Sequence, residues 1–300
     1  MFLKRHQPSE YIQYLRAADK RVELSQTDER ILKNYLKGYE GENHYFEMAQ
    51  KCGGLKLWDV SLMSPGLAQY DFIHIYNGKV YHFDIKNYTG NVRRVGQQFV
   101  SDGDYYYQDI FSQLNRADFY LSNFLRTHGF QNEVISHIVF INPQLTLIED
   151  APDPRIVKPS QVEQVIHFFR QDYQPSREEE RLARILLEHH QASNPHDRIV
   201  YYPFQNKKKG IRCPRCRYIG LESEKSLKKI RCHCGFVEQK KIILKSAIEE
   251  MLLLKNATVS RREIEEWTSM CPKAIKRVLK ESFQMHYNNR STVYCLLNDK

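Results

Sequence analysis

The sequence predicts an α/β protein with a central mixed sheet flanked by helices, followed by two smaller C-terminal segments. Residues 70–87 form two arms rich in β-branched and aromatic residues around Asn77-Gly78, a strong hairpin signal. An amphipathic pattern over 109–127 precedes a strand pattern over 134–141, and strand–helix–strand implies a right-handed parallel crossover. Beyond residue 210, four cysteines crowd into residues 213–234, which indicates a segment of different construction.

The elements before the hairpin are two helices, a strand and a loop. Asp28-Glu29 heads an apolar-periodic stretch and fits a helix start. Residues 41–49 predict a second helix, ended by Cys52-Gly53-Gly54. Residues 55–62 alternate as a strand, and residues 63–69 form a Pro/Gly loop that leads into the hairpin.

The elements after the hairpin begin with a polar stretch, 88–105, in which only turns are predicted. Tyr105-Tyr106-Tyr107 could stack on bases, but an aromatic run beside a core favours packing. The helix at 109–127 carries its apolar residues on one stripe, with Gln113 and Arg116 on or beside it. A helix over 160–170 follows, and a capping box at Ser176-Arg177-Glu178-Glu179 opens another that reaches Glu188.

Composition limits the class of protein. Three hundred residues allow two or three domains, and residues 201–300 carry 22 Lys/Arg against 10 Asp/Glu, net +12, whereas residues 1–200 are at −3. A basic C-terminal third indicates a nucleic-acid-binding segment, with a merely solubilising surface as the alternative. The seven cysteines do not form a disulfide framework, and no run is long enough to span a bilayer. Without a signal peptide pattern, a cytoplasmic protein with no membrane association is expected.

The hairpin carries an unusual set of charges. Asp84 and Lys86 are two apart on a strand and project to one face, and Asp71 on the paired arm could lie alongside. Carboxylates bind hard cations such as Mg²⁺, which activate water and neutralise a phosphoryl group, while a lysine stabilises developing charge. The arrangement therefore suits metal-assisted phosphodiester hydrolysis. On spacing alone, a solvated surface hairpin fits equally well.

Several motifs resemble one known family. Asp71 followed by Asp84-x-Lys86 resembles the core of the PD-(D/E)xK nuclease superfamily. Residues 83–90 resemble the E-x-K-N-x-x-G stretch of its nuclease-related (NERD) domain, with Asp84 where that family usually has Glu. Three further stretches resemble the family's Gly-x-x-Gly-Glu helix start, helical glutamine motif and later core strand: residues 38–42, 113–116 and 139–142. The resemblance covers about residues 35–170.

The resemblance implies a metal-dependent nuclease that acts on nucleic acid, expected to be DNA. Mg²⁺ or Mn²⁺ would be held by three carboxylates and a backbone carbonyl: Glu42, Asp71, Asp84 and Ile85. Lys86 would polarise the attacking water, and Gln113 would help hold a water or a metal ligand. The alternative for Glu42 is a carboxylate that only stabilises the N-terminus of its helix through the helix dipole. For the whole chain, the alternative is a non-catalytic DNA-binding or regulatory protein that keeps the nuclease fold.

The second half is predicted to begin after a linker at 191–210, which separates a nuclease domain at 1–190 from the remainder. Cys213 and Cys216, then Cys232 and Cys234 after fifteen intervening residues, predict a zinc ribbon over 211–240. The second pair has C-x-C spacing, so His233 could replace one cysteine. A structural Zn²⁺ would substitute for a core that so small a segment cannot build.

Residues 241–300 predict three helices and a terminal hairpin, which resembles a winged-helix domain. The helices are expected over 242–254, from the capping box at Ser260 through Trp267, and from Pro272 onwards. The third helix is basic and would enter a DNA groove with the hairpin as wing. The DNA contacts are predicted at Lys273, Lys276, Arg277, Lys280 and Arg290. A three-helix protein-interaction domain is the alternative.

Overall fold

The computed structural model describes residues 1–107, 109–192, 198–221, 228–288 and 291–297. The chain forms two compact units. The first unit contains Met1–Ser9 and Lys33–Pro195, and the second contains Glu10–Leu32 and His196–Lys300. No sequence pattern indicates that residues 10–32 group with the C-terminal residues. No helix in the described part of the chain is long and apolar enough to cross a membrane.

The helices and strands have the following bounds. The strands are β1 (Phe2–Lys4), β2 (Leu55–Met63), β3 (Leu67–Tyr76), β4 (Lys79–Lys86), β5 (Gly90–Val95), β6 (Gln98–Ser101), β7 (Val134–Phe140), β8 (Leu145–Ile148), β9 (Ile156–Val157), β10 (Lys229–Arg231), β11 (Val237–Gln239), β12 (Val259–Ser260), β13 (Phe283–Asn288) and β14 (Ser291–Leu296). The helices are α1 (Glu10–Ala18), α2 (Gln26–Ala49), α3 (Ile110–Thr127), α4 (Val162–Phe168), α5 (Arg177–Glu188), α6 (Lys240–Lys255), α7 (Arg261–Thr268) and α8 (Pro272–Ser282).

The first unit is built on a mixed sheet of order β1-β2-β3-β4-β7-β9. Strands β2, β3 and β4 pair antiparallel, whereas β7 is parallel to both β4 and β9, so the parallel connection predicted from β4 through α3 to β7 is confirmed. Residues of α2 and α4 pack on one face and residues of α3 and α5 on the other. The predicted α/β class with flanking helices is therefore confirmed.

The hairpin of β3 and β4 forms as predicted. Tyr76 pairs with Lys79 across a two-residue turn, in which Asn77 and Gly78 have φ of 50° and 72°. Two consecutive positive φ angles define the tight turn that Asn-Gly favours, and its twist matches that of the strands. The turn fixes the register of both strands and hence the level at which Asp71 and Asp84 lie.

The prediction of two separate helices before β2 is wrong here, because α2 runs without a break from Gln26 to Ala49, through Gly38 and Gly41. At Gly41 a Cβ atom would lie 2.7 Å from the Cβ of Asn87, just after β4. The glycine therefore serves close packing of the helix against the chain rather than a helix end. It also brings the next residue of the helix, Glu42, to the end of β4.

A second, smaller sheet has the order β6-β5-β8, and its strands β5 and β6 lie in the stretch for which only turns were predicted. Strand β5 pairs antiparallel with β6 and parallel with β8, and its Val92 is buried with Phe99 and Phe111. Helix α3 begins with Asp109 as its N-cap, and α5 with the predicted capping box of Ser176. These local signals are confirmed.

The second unit has its own core. Apolar residues of α1 pack with those of α6, α7 and α8, among them Leu15, Leu244 and Ile264. A three-stranded sheet of order β12-β14-β13 completes it, and β10 pairs with β11 beside the cysteines. The three predicted helices and the terminal hairpin are present. Their assignment to a winged-helix domain stays a prediction.

Candidate active site

The predicted site lies where β3 and β4 part. Their pairing is regular from the turn to Phe72 and Phe83. Asp71 and Asp84 are the next residues along the two strands beyond this last pair. There the Asp71 side chain replaces the backbone as hydrogen-bond acceptor, because its Oδ2 accepts a hydrogen bond from the Ile85 N–H at 2.7 Å. The splayed strands thus present both aspartates at one level.

Asp84 and Lys86 face the same side, as their spacing predicts. The Lys86 Nζ lies 2.8 Å from Asp84 Oδ1, and the two side chains are only 15% and 13% exposed. Burial alone would lower the pKa of Lys86, but the charges of Asp84 and Asp71 outweigh it and raise the pKa, so Lys86 is cationic. The other oxygen of Asp84, Oδ2, is buried and has no hydrogen-bond partner among the described residues.

Glu42 reaches the site from α2. Its Oε2 accepts a hydrogen bond from the Trp58 indole at 2.7 Å. Burial, together with the charges of Asp59 and Asp84, raises the pKa of Glu42 to about 7 despite that hydrogen bond. The pKa of Asp71 is raised as well, first by burial and then by the charges of Glu42 and Asp84. Two carboxyl groups with raised pKa, those of Glu42 and Asp71, therefore lie with Asp84 around Lys86.

Asn87 explains how α2 is held against the end of β4. Its Nδ2 donates to the Lys37 carbonyl of α2 at 2.8 Å, and its Oδ1 accepts from Asn142 Nδ2 at 2.8 Å. The helix, the end of β4 and Asn142, two residues after β7, are thereby joined through one buried amide. The position of Glu42 relative to Asp84 depends on this amide and on Gly41.

The Ile85 carbonyl points towards the same side as Asp71. Lys86 directs its carbonyl towards β7, where it accepts from the Ile141 N–H at 3.1 Å. Successive residues of a strand direct their backbone polar groups to opposite sides, so the N–H and C=O of Ile85 both face β3. The N–H is bound by Asp71, and the carbonyl lies on the side of the carboxylates.

Asp59 is an acidic neighbour that sequence reasoning missed. The register places it opposite Asp71, since Trp58 pairs with Phe72 and Val60 with Tyr70. Its φ is 65°, and its carboxylate is held by His6 Nδ1 and Gln69 Nε2, both at 2.8 Å. With both oxygens engaged, Asp59 supports the site rather than extending its ligand set.

Asp59 has a left-handed backbone conformation, and at its level the side chains of β2 and β3 change from one face of the sheet to the other. Trp58 and Phe72 pack with α2, whereas Val60 and Tyr70, two residues away on each strand, pack with α3. Residues two apart normally share a face, so β2 and β3 exchange faces at this level. His6, the N-terminal residue that binds the Asp59 carboxylate, belongs to no recognisable sequence motif. The contact is therefore evident only in the folded structure.

Gln113 is the predicted site residue that the structure does not bring to the others. Helix α3 buries Ile110, Leu114 and Ala117, and Gln113 is exposed. Within the described part of the chain, no hydrogen bond or ion pair joins its side chain to Glu42, Asp71 or Asp84. Its role stays a prediction.

The region that contains these residues matches one known family. Residues 37–141 match the family model of NERD, the nuclease-related domain. The match spans Glu42, both strands of the hairpin, α3 and β7, and it includes every residue of the predicted metal site. Neither the curated proteins nor the solved structures contain a match to the chain.

Outside the nuclease-related domain, the four predicted cysteines converge. Their sulfur atoms lie within 4.8 Å of one another, with Cys213 3.7 Å from Cys234 and Cys216 3.5 Å from Cys232. A tetrahedral zinc with Zn–S bonds of about 2.3 Å requires sulfur separations of about 3.8 Å. The cluster is therefore compatible with a zinc ribbon.

The C-x-C spacing is accommodated by a tight turn. Gly235, at φ of 83°, donates its N–H to the Cys232 carbonyl at 3.0 Å, which brings both sulfurs of the second pair inward. His233 is not part of the cluster. The four thiols complete the ligand set without it.

The predicted DNA-contacting residues of α8 lie outside the nuclease-related domain too. Lys273, Lys276, Arg277 and Lys280 are exposed, while the opposite side of the helix is buried in the core of the second unit. Their spacing of three and four residues places them along one stripe. Arg277 also pairs with Glu281 at 3.1 Å. Arg290 lies outside the described residues.

A cleft of about 520 Å³ adjoins this stripe. It is lined by residues of α6 and α8, and five of its lining side chains are basic: Lys228, Lys240, Lys241, Lys273 and Arg277. Glu281 offsets part of this charge, since Lys241 contacts it at 2.5 Å. The cleft and stripe together form the basic surface of the second unit.

Proposed function

We propose that the chain is a metal-dependent nuclease that hydrolyses DNA phosphodiester bonds, with a basic C-terminal part that holds the DNA. The observation that carries the proposal is the convergence of Glu42, Asp71 and Asp84 on Lys86, within the nuclease-related match. A solvated hairpin would not bury these charges together, because burying like charges is unfavourable unless a ligand or reaction uses them.

The donor set fits a hard divalent cation. Glu42, Asp71 and Asp84 offer oxygen atoms, and Asp84 Oδ2 is buried without a partner in the described part of the chain. The charges of Glu42 and Asp84 raise the pKa of Asp71, so a bound cation would relieve the repulsion among these carboxylates. We assign Mg²⁺ or Mn²⁺ to these three side chains and the Ile85 carbonyl. When bound, the ion supplies an activated water and neutralises phosphoryl charge.

Lys86 acts on the reacting phosphate. Asp84 fixes its ammonium group, and its raised pKa keeps the group charged through the neutral range. A fixed cation in a poorly hydrated site stabilises negative charge that develops in the transition state. Lys86 also orients the attacking water, as the resemblance implies. Its contribution is expected in the rate of cleavage rather than in DNA affinity.

The second unit supplies DNA affinity. The stripe of α8 and the cleft beside it carry exposed cations, which favour a polyanion through counterion release. Helix α8 followed by the β13–β14 hairpin has the order of a recognition helix and wing, and we propose that role for them. The zinc-bound cysteines keep β10 and β11 in place beside the cleft.

The deciding experiment compares cleavage of circular and linear DNA with and without Mg²⁺ or Mn²⁺. Wild type is expected to cleave only with the metal. Lys86→Ala should lose on the order of 100-fold or more in rate and keep DNA binding. Asp84→Ala should lose activity through weaker metal binding, so excess Mn²⁺ should rescue it partly and should not rescue Lys86→Ala. If both variants cleave as wild type does, the hairpin is not the active site.

A second candidate is a DNA-binding protein without nuclease activity. It is favoured by the exposure of Gln113 and by the shorter Asp84, where the family usually has Glu. Under this function, wild type would bind DNA through α8 with no cleavage under any metal. The same assay therefore separates the two functions.

A further inference from the structure

Two histidines meet at the surface of the first unit. His128 is the C-cap of α3, and His189 is the C-cap of α5. Their Nε2 atoms lie 3.3 Å apart. His128 is half-buried and His189 is exposed, so the pair is open to solvent. Because His189 lies beyond the nuclease-related match at 37–141, the family match does not account for the pair.

The ring proton of each histidine is on Nδ1. The Nδ1 atom of His128 lies 2.8 Å from the Phe124 carbonyl oxygen, and that of His189 lies 2.9 Å from the Ile185 carbonyl oxygen. A carbonyl oxygen can only accept, so both Nδ1 atoms donate. Since a neutral imidazole carries one ring proton, both Nε2 atoms present a lone pair. Two lone pairs at this distance repel each other unless a cation lies between them.

The separation of the two Nε2 atoms fits one tetrahedral metal ion. Zn–N bonds of about 2.0–2.1 Å at the tetrahedral angle place two nitrogen ligands about 3.3–3.4 Å apart. A histidine that binds a metal typically donates its other ring N–H to a backbone carbonyl or a carboxylate, which fixes the tautomer and the ring orientation. Both histidines have this hydrogen bond. The pair therefore has the distance and the tautomer of a chelating site.

The surroundings hold the two rings in place and favour a cation. The buried ring of Phe124 packs against both imidazoles, with its centroid 4.2 Å from that of His128 and 5.5 Å from that of His189. Each histidine lies at the C-terminal end of its helix, where the helix dipole carries partial negative charge and attracts cations. Rings that are fixed before binding lose little conformational entropy when a ligand binds.

The neighbouring His190 does not belong to the pair. Its Nδ1 accepts the Ser61 N–H at 3.1 Å, so the ring proton of the neutral imidazole is on Nε2. In the described part of the chain, neither His128 nor His189 belongs to a larger group of converging ligand side chains. Water would therefore complete the coordination of an ion on the pair.

We propose that His128 and His189 chelate one borderline transition-metal ion, with Zn²⁺ as the ion that the geometry fits. Imidazole nitrogen suits Zn²⁺, whereas Mg²⁺ and Mn²⁺ prefer oxygen ligands, so the carboxylates of the candidate active site select a different class of metal. The ion ties the end of α3, which connects β4 to β7, to the end of α5 and stabilises the folded first unit. The inference is independent of the proposed nuclease function.

The test titrates the full chain, with its cysteines already loaded with zinc, with further Zn²⁺ in a calorimeter. Excess Mg²⁺ is present, because it occupies the carboxylates and does not compete for imidazole. Wild type is expected to bind about one more equivalent than His128→Gln or His189→Gln, in which a single imidazole should bind Zn²⁺ on the order of 100-fold more weakly without chelation. The matched control His167→Gln removes an exposed histidine of α4 and should bind as wild type does.

Hydrogen exchange of wild type locates the ion without any substitution. Added Zn²⁺ should slow exchange at the ends of both helices, over residues 124–130 and 185–191, and the same slowing should occur in His167→Gln but not in His189→Gln. Two results would overturn the proposal: equal Zn²⁺ binding by wild type and His189→Gln, or unchanged exchange at both helix ends of wild type. A proton shared between the two rings in place of a metal ion would produce both of these results.

Discussion

The Asp71 carboxylate accepts the Ile85 N–H at 2.7 Å, in the place where a backbone carbonyl of β3 would otherwise pair. One side chain thereby ends the ladder between β3 and β4 without leaving a buried donor unpaired. The same carboxylate interacts with Glu42 and Asp84. Asp71 therefore has a structural contact and a proposed metal contact, and these can be separated by substitution.

Asp71→Asn and Asp71→Ala should separate the two contacts. The amide oxygen of Asn can still accept from Ile85, so the free energy of unfolding should stay within about 1 kcal/mol of wild type or rise, since a buried charge is removed. Ala leaves the N–H unpaired and should lower the free energy of unfolding by about 1–3 kcal/mol. Both should abolish cleavage. Urea denaturation and a cleavage assay check this, and equal stability of the two variants would contradict it.

Two glycines of α2 give a matched pair of substitutions. A Cβ at Gly41 would lie 2.7 Å from Asn87 Cβ and 3.2 Å from Ile141 Cγ2, whereas at Gly38 the nearest atom is Glu42 Oε1 at 4.0 Å. Gly38→Ala should stabilise the protein by about 0.5–1 kcal/mol through helix propensity. Gly41→Ala should destabilise it by about 1–3 kcal/mol through overpacking, and should reduce cleavage by displacing Glu42.

Thermal or urea unfolding of both variants measures the difference. A Gly41→Ala protein that is as stable as Gly38→Ala would show that α2 does not need to approach Asn87. Because the two substitutions share the helix and the chemistry, the contrast isolates the contact.

The parts of the site that the sequence predicted are those set by local rules. Asn77-Gly78 determines the turn, the period of two sets Asp84 beside Lys86, and capping residues start α3 and α5. The features that the sequence did not predict depend on contacts between residues that are far apart in the chain. The helix passes through Gly41 because Asn87 lies against it, and the strands at 90–101 form because β8 pairs with β5. Asp59 meets His6 only in the folded protein.

Gln113 shows how far the buried face of a helix can be predicted from the spacing of its apolar residues. It lies next to Leu114, yet helix geometry turns it to solvent while Leu114 is buried. A helical period predicts which residues can share a face, but the position of the neighbouring sheet decides which adjacent polar side chain is covered.

Removal of zinc should unfold the ribbon locally. The four thiolates of Cys213, Cys216, Cys232 and Cys234 would repel one another or protonate without the ion. Hydrogen exchange should increase over 211–221 and 228–239, while β3 and β4 stay protected. Metal analysis should find zinc in wild type and not in Cys216→Ser, whereas the exposed Cys271→Ser should retain it. Protein without zinc, prepared without chelator, would exclude the site.

Asp153 should give the first unit a pH-dependent contribution to stability. Hydrogen bonds from Arg155, with the added charge of Arg94, lower its pKa to about 2. Because the folded-state pKa lies below the unfolded value, the stabilisation is complete above about pH 4 and is lost as pH falls towards 2.

Asp153→Asn should therefore be less stable than wild type at pH 7, by about 0.5–1 kcal/mol because Arg155 is partly exposed, and the difference should shrink as pH falls through about 2. Asp172→Asn is the control: its partner Arg170 is 74% exposed, and no change in stability is expected. Urea denaturation across this pH range measures both. A difference that does not depend on pH would assign the Asp153 effect to packing instead.

The last prediction concerns how α8 binds DNA. If Lys273 and Lys280 contact phosphates, changing both to Ala should weaken duplex binding and reduce the slope of log affinity against log salt by about 0.9 for each lost contact. Arg261 and Arg262 on α7 are matched controls, since they are exposed cations of the same unit that pair with Glu265 and Glu266. Their double Ala variant should keep the wild-type slope. Titrations at several salt concentrations measure all three proteins. Equal slopes in all of them would remove α8 from the DNA interface and favour a protein partner for this surface.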